Sequence, residues 1–188
     1  MRIPEKDIRW YVVSTQSGRE NRIKDYILSR KTSMDLEENI YRVIVAEIEV
    51  DVIDKETGLP SGKKRMKNLY PGYVFVEMLM SDEAWFVVRN TPGVTGFIGS
   101  SGKGAKPFPV PDDEIEPILK RLGIISKEMY ESYNEGDTVR IITGPLEGTE
   151  GTIIEFDKDT GNLVIESLIF GRPQRIETNF ADTEKINE

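Results

Sequence analysis

Few residues in this chain have the chemistry of a catalytic or metal-binding group. The 188-residue sequence contains no histidine and no cysteine. This removes the commonest general base, the commonest transition-metal ligand and all thiol chemistry. Carboxylates are concentrated at Asp112, Asp113, Glu114 and Glu116. Consecutive side chains at a helix start do not converge on one ion, and the helix dipole accounts for them. We expect no catalytic residue and no metal site.

A glycine-rich segment, GSSGKGAK at 99–106, has a composition that suggests phosphate binding. It lacks the G-x-x-x-x-G-K-[ST] spacing and the strand-to-helix context of a phosphate-binding loop. We interpret it as a flexible loop, and the sequence implies no nucleotide or other cofactor.

The remaining candidate chemistry is that of binding surfaces, and aromatic side chains are concentrated in one stretch. Five of them lie within 17 positions: Tyr70, Tyr73, Phe75, Trp85 and Phe86. A strand over 72–80 places Tyr73, Phe75 and Glu77 on one face and aliphatic residues on the other. The aliphatic face suits a core. The aromatic face has the character of a docking surface.

Four cations follow the turn-forming segment DKETGLPSG at 54–62, namely Lys63, Lys64, Arg65 and Lys67. Two interpretations stay open from the residues alone. The cations are either solvent-exposed side chains at the end of a strand or contacts for nucleic-acid phosphate.

The elements that position these residues follow from periodicity. Residues 8–15 predict a buried strand, and Ser17 with Glu20 predicts a capped helix that runs to about Arg30. Alternation over 44–52 predicts one strand with a face in water. Ser81 predicts the cap of a second helix, and a third is expected near 112–122 with Gly123 as its C-cap.

The pattern changes beyond residue 132. Short strands are predicted at 138–142, 151–156, 163–169, 173–178 and 181–186, which fits a small barrel. Residues 133–188 carry 5 Lys and Arg against 12 Asp and Glu, a net charge of −7 out of −8 for the chain. Such a module repels a phosphate backbone, so its partner is expected to be a protein. We expect domains at 1–124 and 133–188, joined by a flexible linker at 125–132.

Three motifs together resemble the NusG family of bacterial transcription elongation factors. They are RWYVVSTQSGRE at 9–20, LYPGYVFVEMLMSDEAWFVVRNTPGVTGFIG at 69–99, and the KOW-type GDTVRIITGPLEGTEGTI at 136–153 with SLIFGRPQRIE at 167–177. A lone KOW motif is weak, because ribosomal proteins also carry it. The three in this order cover nearly the whole chain.

The resemblance implies an α+β fold, in which an antiparallel sheet flanked by helices is joined to a small all-β SH3-like KOW barrel. The family's first domain docks on the clamp helices of the largest subunit of RNA polymerase and modulates pausing, antitermination and termination. The residues of this chain that match the docking surface are Trp10, Leu69, Tyr70, Tyr73 and Trp85.

The resemblance also implies contacts with nucleic acid. Lys63, Lys64, Arg65 and Lys67 match a basic loop that lies near nucleic acid in the family. Some relatives with Asn-Thr before the Pro-Gly turn contact single-stranded non-template DNA, and this chain has Asn90 and Thr91 there. These two residues equally suit the end of a helix.

The family's barrel recruits the termination factor Rho or a small-subunit ribosomal protein. The residues of this chain at the corresponding surface are Ile169, Phe170 and Arg172, which match the family motif, and Leu146, which departs from it. Leu146 and Thr149 replace two aromatic residues of the usual turn, which reduces the apolar area that this surface offers to Rho. An operon-specialised antiterminator paralogue and, less favoured, a KOW-type ribosomal or RNA-binding protein remain as alternatives. Lacking a membrane span or a signal peptide, the chain is expected to be a cytoplasmic, non-enzymatic monomer.

Overall fold

A computed structural model describes residues 8–102 and 104–186, and the chain divides into two units at residue 112. The first unit is Met1–Asp112 and the second is Asp113–Glu188. Lys103, within the segment interpreted as a loop, lies outside the described residues.

The first unit contains a four-stranded sheet in the order β2-β5-β1-β6, with antiparallel pairing throughout. Two helices and a separate two-stranded hairpin complete it. The elements are β1 Ile8–Thr15, α1 Glu20–Ser33, β2 Ile40–Ile44, β3 Glu47–Ile53, β4 Pro60–Asn68, β5 Tyr73–Leu79, α2 Asp82–Arg89 and β6 Val94–Phe97.

One face of this sheet forms the core. Val74, Val76 and Met78 alternate along β5, and none of the three is exposed to solvent. Buried residues of α1 and α2 belong to the same apolar cluster. The predicted aliphatic face of β5 is therefore confirmed, and the two helices cover it.

The prediction of a capping box at the start of α1 is wrong. The helix begins at Glu20 with Arg19 as its N-cap residue and no side-chain cap. Glu20 is instead buried and accepts a hydrogen bond from the Gly72 amide at 2.7 Å. The local motif assigned this carboxylate to the helix cap, but it binds an amide that is distant in the sequence.

The single strand expected over residues 44–52 is two strands. β2 ends at Ile44, and β3 begins at Glu47 in a different sheet. Val45 and Ala46 between them are buried, and the Ala46 carbonyl accepts from the Leu69 amide at 2.8 Å. Alternation continues through the break, which explains why the pattern did not reveal it.

The second unit is a five-stranded antiparallel sheet in the order β10-β9-β8-β7-β11 with two helices before it. All five predicted strands are present within two residues at each end, and the all-β character predicted for the region that contains them is confirmed. The elements are α3 Asp112–Arg121, α4 Lys127–Glu131, β7 Thr138–Ile141, β8 Glu150–Asp157, β9 Asn162–Ile169, β10 Arg172–Asn179 and β11 Thr183–Lys185.

The division between the units falls after Asp112, the first residue of α3, whereas the expected boundary was residue 124. The Lys120 ammonium of α3 is buried, and its Nζ donates to the Tyr133 hydroxyl at 2.6 Å and the Thr183 carbonyl at 3.0 Å. The segment 125–132, expected to be a flexible linker, contains α4, whose Tyr130 ring contacts Phe180. α3 and α4 therefore belong to the barrel unit.

Candidate protein-docking and nucleic-acid surfaces

The second face of the four-stranded sheet carries three aromatic residues that the sequence singled out, namely Trp10, Tyr73 and Phe75. Antiparallel register aligns its side chains in rows across the strands. One row is Arg42, Glu77 and Trp10, the next is Ile44, Phe75 and Val12, and the third is Tyr73 and Ser14. We call these eight residues the aromatic face.

Exposure is uneven across this face. Tyr73 is 39% exposed, and Tyr70, in the turn before β5, is 36% exposed. Phe75 is buried beneath them, and its ring meets the Tyr70 ring edge-on at 5.8 Å between centroids. Half-buried Leu69 lies beside the turn. Tyr70 and Tyr73 therefore offer apolar area to a partner from a rigid base.

The turn before Tyr73 is held by residues that are distant in the sequence. Gly72 has φ of +87°, a conformation that only glycine adopts without strain. A Cβ atom there would lie 3.2 Å from the Ser17 hydroxyl. With the Glu20 carboxylate holding its amide, the turn leaves Tyr73 little freedom.

Trp85 does not share this face. It is half-buried and packs against the core that α1 and α2 cover. Its indole Nε1 is buried without a hydrogen-bond partner among the described residues. Trp10 does lie on the aromatic face, but it is only 8% exposed, beneath the Arg42 side chain.

The four basic residues of β4 separate onto two faces of the β3–β4 hairpin. Cross-strand pairing sets Lys67 opposite Ile48 and Arg65 opposite Val50, and alternation adds Lys63 to this side. Within the described residues none of these three cations forms a salt bridge. The side therefore combines free positive charge with aliphatic surface.

The other side of the hairpin is neutralised. Lys64 lies opposite Asp51, and its Nζ is 2.9 Å from the Glu49 carboxylate. The hydrogen bond and negative charge of Glu49 raise the pKa of Lys64. Lys64 is thus the one basic residue of the predicted set that already has an acidic partner.

Asn90 and Thr91 end α2 and differ in access. The Thr91 hydroxyl donates to the Val87 carbonyl at 2.8 Å, and the residue is 2% exposed. Asn90 is exposed; its Nδ2 donates to the Phe86 carbonyl at 2.8 Å. It borders a cleft of about 520 Å³ that is also lined by Phe86 and Arg89. The helix-terminating interpretation describes Thr91, whereas Asn90 keeps an accessible side chain.

The β9–β10 turn presents the most exposed aromatic ring among the described residues. Phe170 is 100% exposed and has φ of +51°, and Gly171 follows with φ of +74°. Leu168 is 74% exposed, although sequence reasoning did not single it out. Strand alternation was the signal that could have found it, because Leu163, Ile165 and Ser167 point inward.

Leu146 lies at the same end of the barrel. Register sets β8 Thr152 opposite β9 Glu166, and the Ser167 hydroxyl donates to the Glu150 carbonyl at 2.6 Å. The turn that contains half-exposed Leu146 leads directly into this start of β8. Ile169 is half-buried and Arg172 is exposed, so the structure groups the predicted residues at one end.

The described residues contain no group of three or more acidic, histidine or cysteine side chains placed to hold a metal ion. None of the helices described has the length and apolar character that a membrane span needs.

Two family models match this chain. The one described as transcription termination factor nusG matches residues 8–119, and the KOW motif matches residues 135–166. The chain belongs to the NusG family. The NusG transcription termination/antitermination protein of Bacillus subtilis is 41% identical over 179 residues, covering 94% of this chain and 98% of the relative. That of Staphylococcus carnosus is 42% identical over 180 residues, covering 95% and 96%.

A solved structure supports the same assignment. The structure titled "Domain interaction in Thermotoga maritima NusG" matches with a TM-score of 0.52 and 33% identity. The match covers 97% of this chain and 99% of the other. The NusG-family relatives are named as transcription termination/antitermination proteins and not as enzymes.

Proposed function

We propose that this NusG-family protein binds the clamp helices of the largest RNA polymerase subunit through its aromatic face and the adjoining turn at Leu69 and Tyr70. The observation that carries the proposal is the pair of half-exposed tyrosines, Tyr70 and Tyr73, above buried Phe75. Tyrosine anchors on a rigid base are typical of binding hot spots, because they bury large area at low entropic cost. Trp10 and Leu69 support the anchors from beneath and beside them.

Docking acts by binding energy alone. A factor that binds the closed clamp more tightly than the open clamp shifts the polymerase toward the closed state. That shift suppresses pausing, and neither the factor nor its surface takes part in bond chemistry. Trp85 contributes to this function as a packing residue of the helix-covered core.

We propose that the hairpin contacts nucleic acid through Lys63, Arg65 and Lys67. These cations are exposed and unpaired among the described residues, and they project from one side of an isolated two-stranded ladder. Phosphate contacts of this kind supply affinity that falls steeply with salt. Lys64, already paired with Glu49, contributes little.

Asn90 is our candidate for contact with single-stranded non-template DNA. Its side-chain amide reaches the cleft beside Phe86 and Arg89, where an aromatic face and a cation can receive an unstacked base. Thr91 serves by ending α2, since its hydroxyl is already bonded within the helix. The balance between pausing and antipausing would follow from this contact.

The barrel unit is proposed to recruit a protein partner, either Rho or a small-subunit ribosomal protein, through Leu146, Leu168, Ile169, Phe170 and Arg172. A fully exposed Phe170 at a strained turn has no structural reason to be aromatic. The acidic charge of the unit disfavours direct RNA binding. Leu146 and Thr149 in the neighbouring turn keep the operon-specialised paralogue as a second candidate.

A photocrosslinking experiment tests the polymerase assignment. The photoreactive amino acid p-benzoylphenylalanine replaces Tyr73 in the full-length chain, which is mixed with bacterial core RNA polymerase. We expect crosslinks to the clamp helices. The same amino acid at Tyr26, which is 38% exposed on α1, is the matched control and is expected not to crosslink there. Equal crosslinking from both positions contradicts the assignment.

We propose that the protein acts in the cytoplasm as a monomer.

A further inference from the structure

Arg42 occupies a polar row within the aromatic face. Its Nε is 2.5 Å from Glu77 Oε2, and Nη2 is 3.4 Å from Glu77 Oε1. The guanidinium carbon lies 5.7 Å from the centre of the Trp10 ring in the same row. No local sequence pattern indicates this triad, because its members are 32 or more positions apart.

These contacts satisfy two of the five N–H donors of the guanidinium. Arginine has five N–H donors in a fixed fork. Glu77 takes one donor from Nε and one from Nη2, and Nη1 has no acceptor among the described residues. The side chain is 47% exposed, so water satisfies the remaining donors in the free protein.

Covering the aromatic face removes that water. A donor left buried without an acceptor costs affinity, and a buried charge costs more. A partner that covers Tyr73 therefore has to bring an acceptor to Arg42. In the middle of a helix the backbone carbonyls are already bonded four residues along, so the acceptor on a helical partner is a side chain. A carboxylate forms the strongest such bond to a guanidinium.

We propose that Arg42 is a specificity-determining contact of the aromatic face and binds a carboxylate on a helix of the polymerase partner. The inference rests on the proposed docking function. Glu77 is the positioning residue, because its carboxylate accepts hydrogen bonds from Nε and Nη2. The Trp10 ring supports the guanidinium plane. Nη1 is left to bind the carboxylate of the partner. The face thus selects a helix that presents an acidic residue beside an apolar patch.

The test measures affinity of full-length variants for bacterial core RNA polymerase. We expect Arg42→Gln to weaken binding at least about tenfold, because the retained polar side chain lacks the charge. Arg42→Lys is expected to weaken binding less, since it keeps the charge and loses the fork. Arg9→Gln is the matched control: it removes the same charge from the same sheet, from β1 on the opposite face, and is expected to stay within about twofold.

Two further measurements guard against misfolding and identify the acidic partner. The double variant Arg42→Gln/Glu77→Gln leaves no unpaired carboxylate and is expected to bind as weakly as Arg42→Gln. Arg42→Glu is then combined with single Asp→Lys or Glu→Lys changes in the clamp helices. Restored affinity for one combination locates the carboxylate.

The outcomes separate the two proposals. If Tyr73→Ala loses binding while Arg42→Gln binds as the wild type does, docking stands and the carboxylate contact is overturned. If both variants bind as the wild type does, the docking face itself is wrong. If Arg42→Gln binding falls but no charge reversal restores it, a neutral acceptor replaces the proposed carboxylate and the inference is overturned.

Discussion

The Glu20 carboxylate, in the first turn of α1, accepts a 2.7 Å hydrogen bond from the Gly72 amide, 52 positions away. This bond ties the helix to the turn that precedes Tyr73. Burial raises the pKa of Glu20, but hydrogen bonds from the amides of Gly72, Glu20 and Gly18 outweigh it, and the pKa lies below its ordinary value. The first helix thereby anchors the turn from which Tyr73 extends.

We predict that Glu20→Ala lowers the free energy of unfolding of the first unit by about 2 kcal/mol, because a buried amide loses a charged acceptor. Glu20→Gln keeps an acceptor and is expected to cost about half as much. Because the folded pKa is depressed, this stability is present at neutral pH and is lost as pH falls through the folded pKa. Denaturant titration followed by tryptophan fluorescence measures it, since both tryptophans, Trp10 and Trp85, lie in this unit. A wild-type transition for Glu20→Ala contradicts the prediction.

The β3–β4 hairpin has one side with unpaired cations and one side on which Lys64 is paired with Glu49. We therefore predict that removing a positive charge weakens nucleic-acid binding from the first side and not from the second. Replacing Lys63, Arg65 and Lys67 together by Gln should weaken binding to polymerase on a DNA scaffold. The slope of log affinity against log salt should shrink by about 0.9 for each duplex phosphate that the variant no longer neutralises. Lys64→Gln is the matched single control and should behave as the wild type, because Glu49 already pairs with Lys64. Equal effects per charge from both sides would refute the division into two faces.

Phe170 offers a test in which stability and binding separate. Phe170→Gly removes the ring and suits the positive φ, so the free energy of unfolding of the second unit should stay unchanged or rise by up to about 1 kcal/mol. Partner binding to the barrel should nevertheless fall. Titration of the variant with Rho and with the ribosomal protein measures binding, and thermal unfolding measures stability. Undiminished binding of both proteins would show that the turn serves another purpose.

The buried Lys120 predicts an unusual alkaline response of the second unit. Burial lowers the pKa of Lys120 to about 8, although the Glu116 and Glu184 carboxylates oppose the shift. Between about pH 8 and pH 10 the folded state therefore holds fewer protons than the unfolded state, and stability should rise by about 2 kcal/mol. Burial raises the pKa of Tyr133, which reverses the trend at higher pH.

Lys120→Met is the variant that checks this assignment, because it fills similar volume without a charge. Its free energy of unfolding should lack the rise above pH 8. Amide signals of β7 to β11 in nuclear magnetic resonance follow the second unit separately from the first. A rise that persists in Lys120→Met would assign the titration to another group.

Periodicity predicted most of the architecture. Val74, Val76 and Met78 lie on the core face as their spacing indicated, Ser81 caps α2 through a 3.1 Å bond from the Ala84 amide, and the five barrel strands are present. These features depend on neighbours in the sequence or on strict alternation. A local pattern is sufficient to specify them.

Features set by tertiary contacts escaped prediction. Glu20 had the spacing of a capping box, yet its carboxylate binds Gly72. Lys120 is polar by type but lies over the Phe180 ring at 3.8 Å from its centre, which moves α3 into the barrel unit. Arg42 belongs to the candidate site because the pairing of β2 with β5 places it opposite Glu77. In each case the deciding partner is distant in sequence.

Equilibrium binding of the full-length protein to bacterial core RNA polymerase tests the docking of the aromatic face most directly. Tyr73→Ala should weaken binding by about 2 kcal/mol or more, as removal of a hot-spot anchor does. Tyr26→Ala removes an equally exposed tyrosine from α1 and should leave the affinity unchanged. Equal affinities for the wild type and Tyr73→Ala would contradict docking through this face.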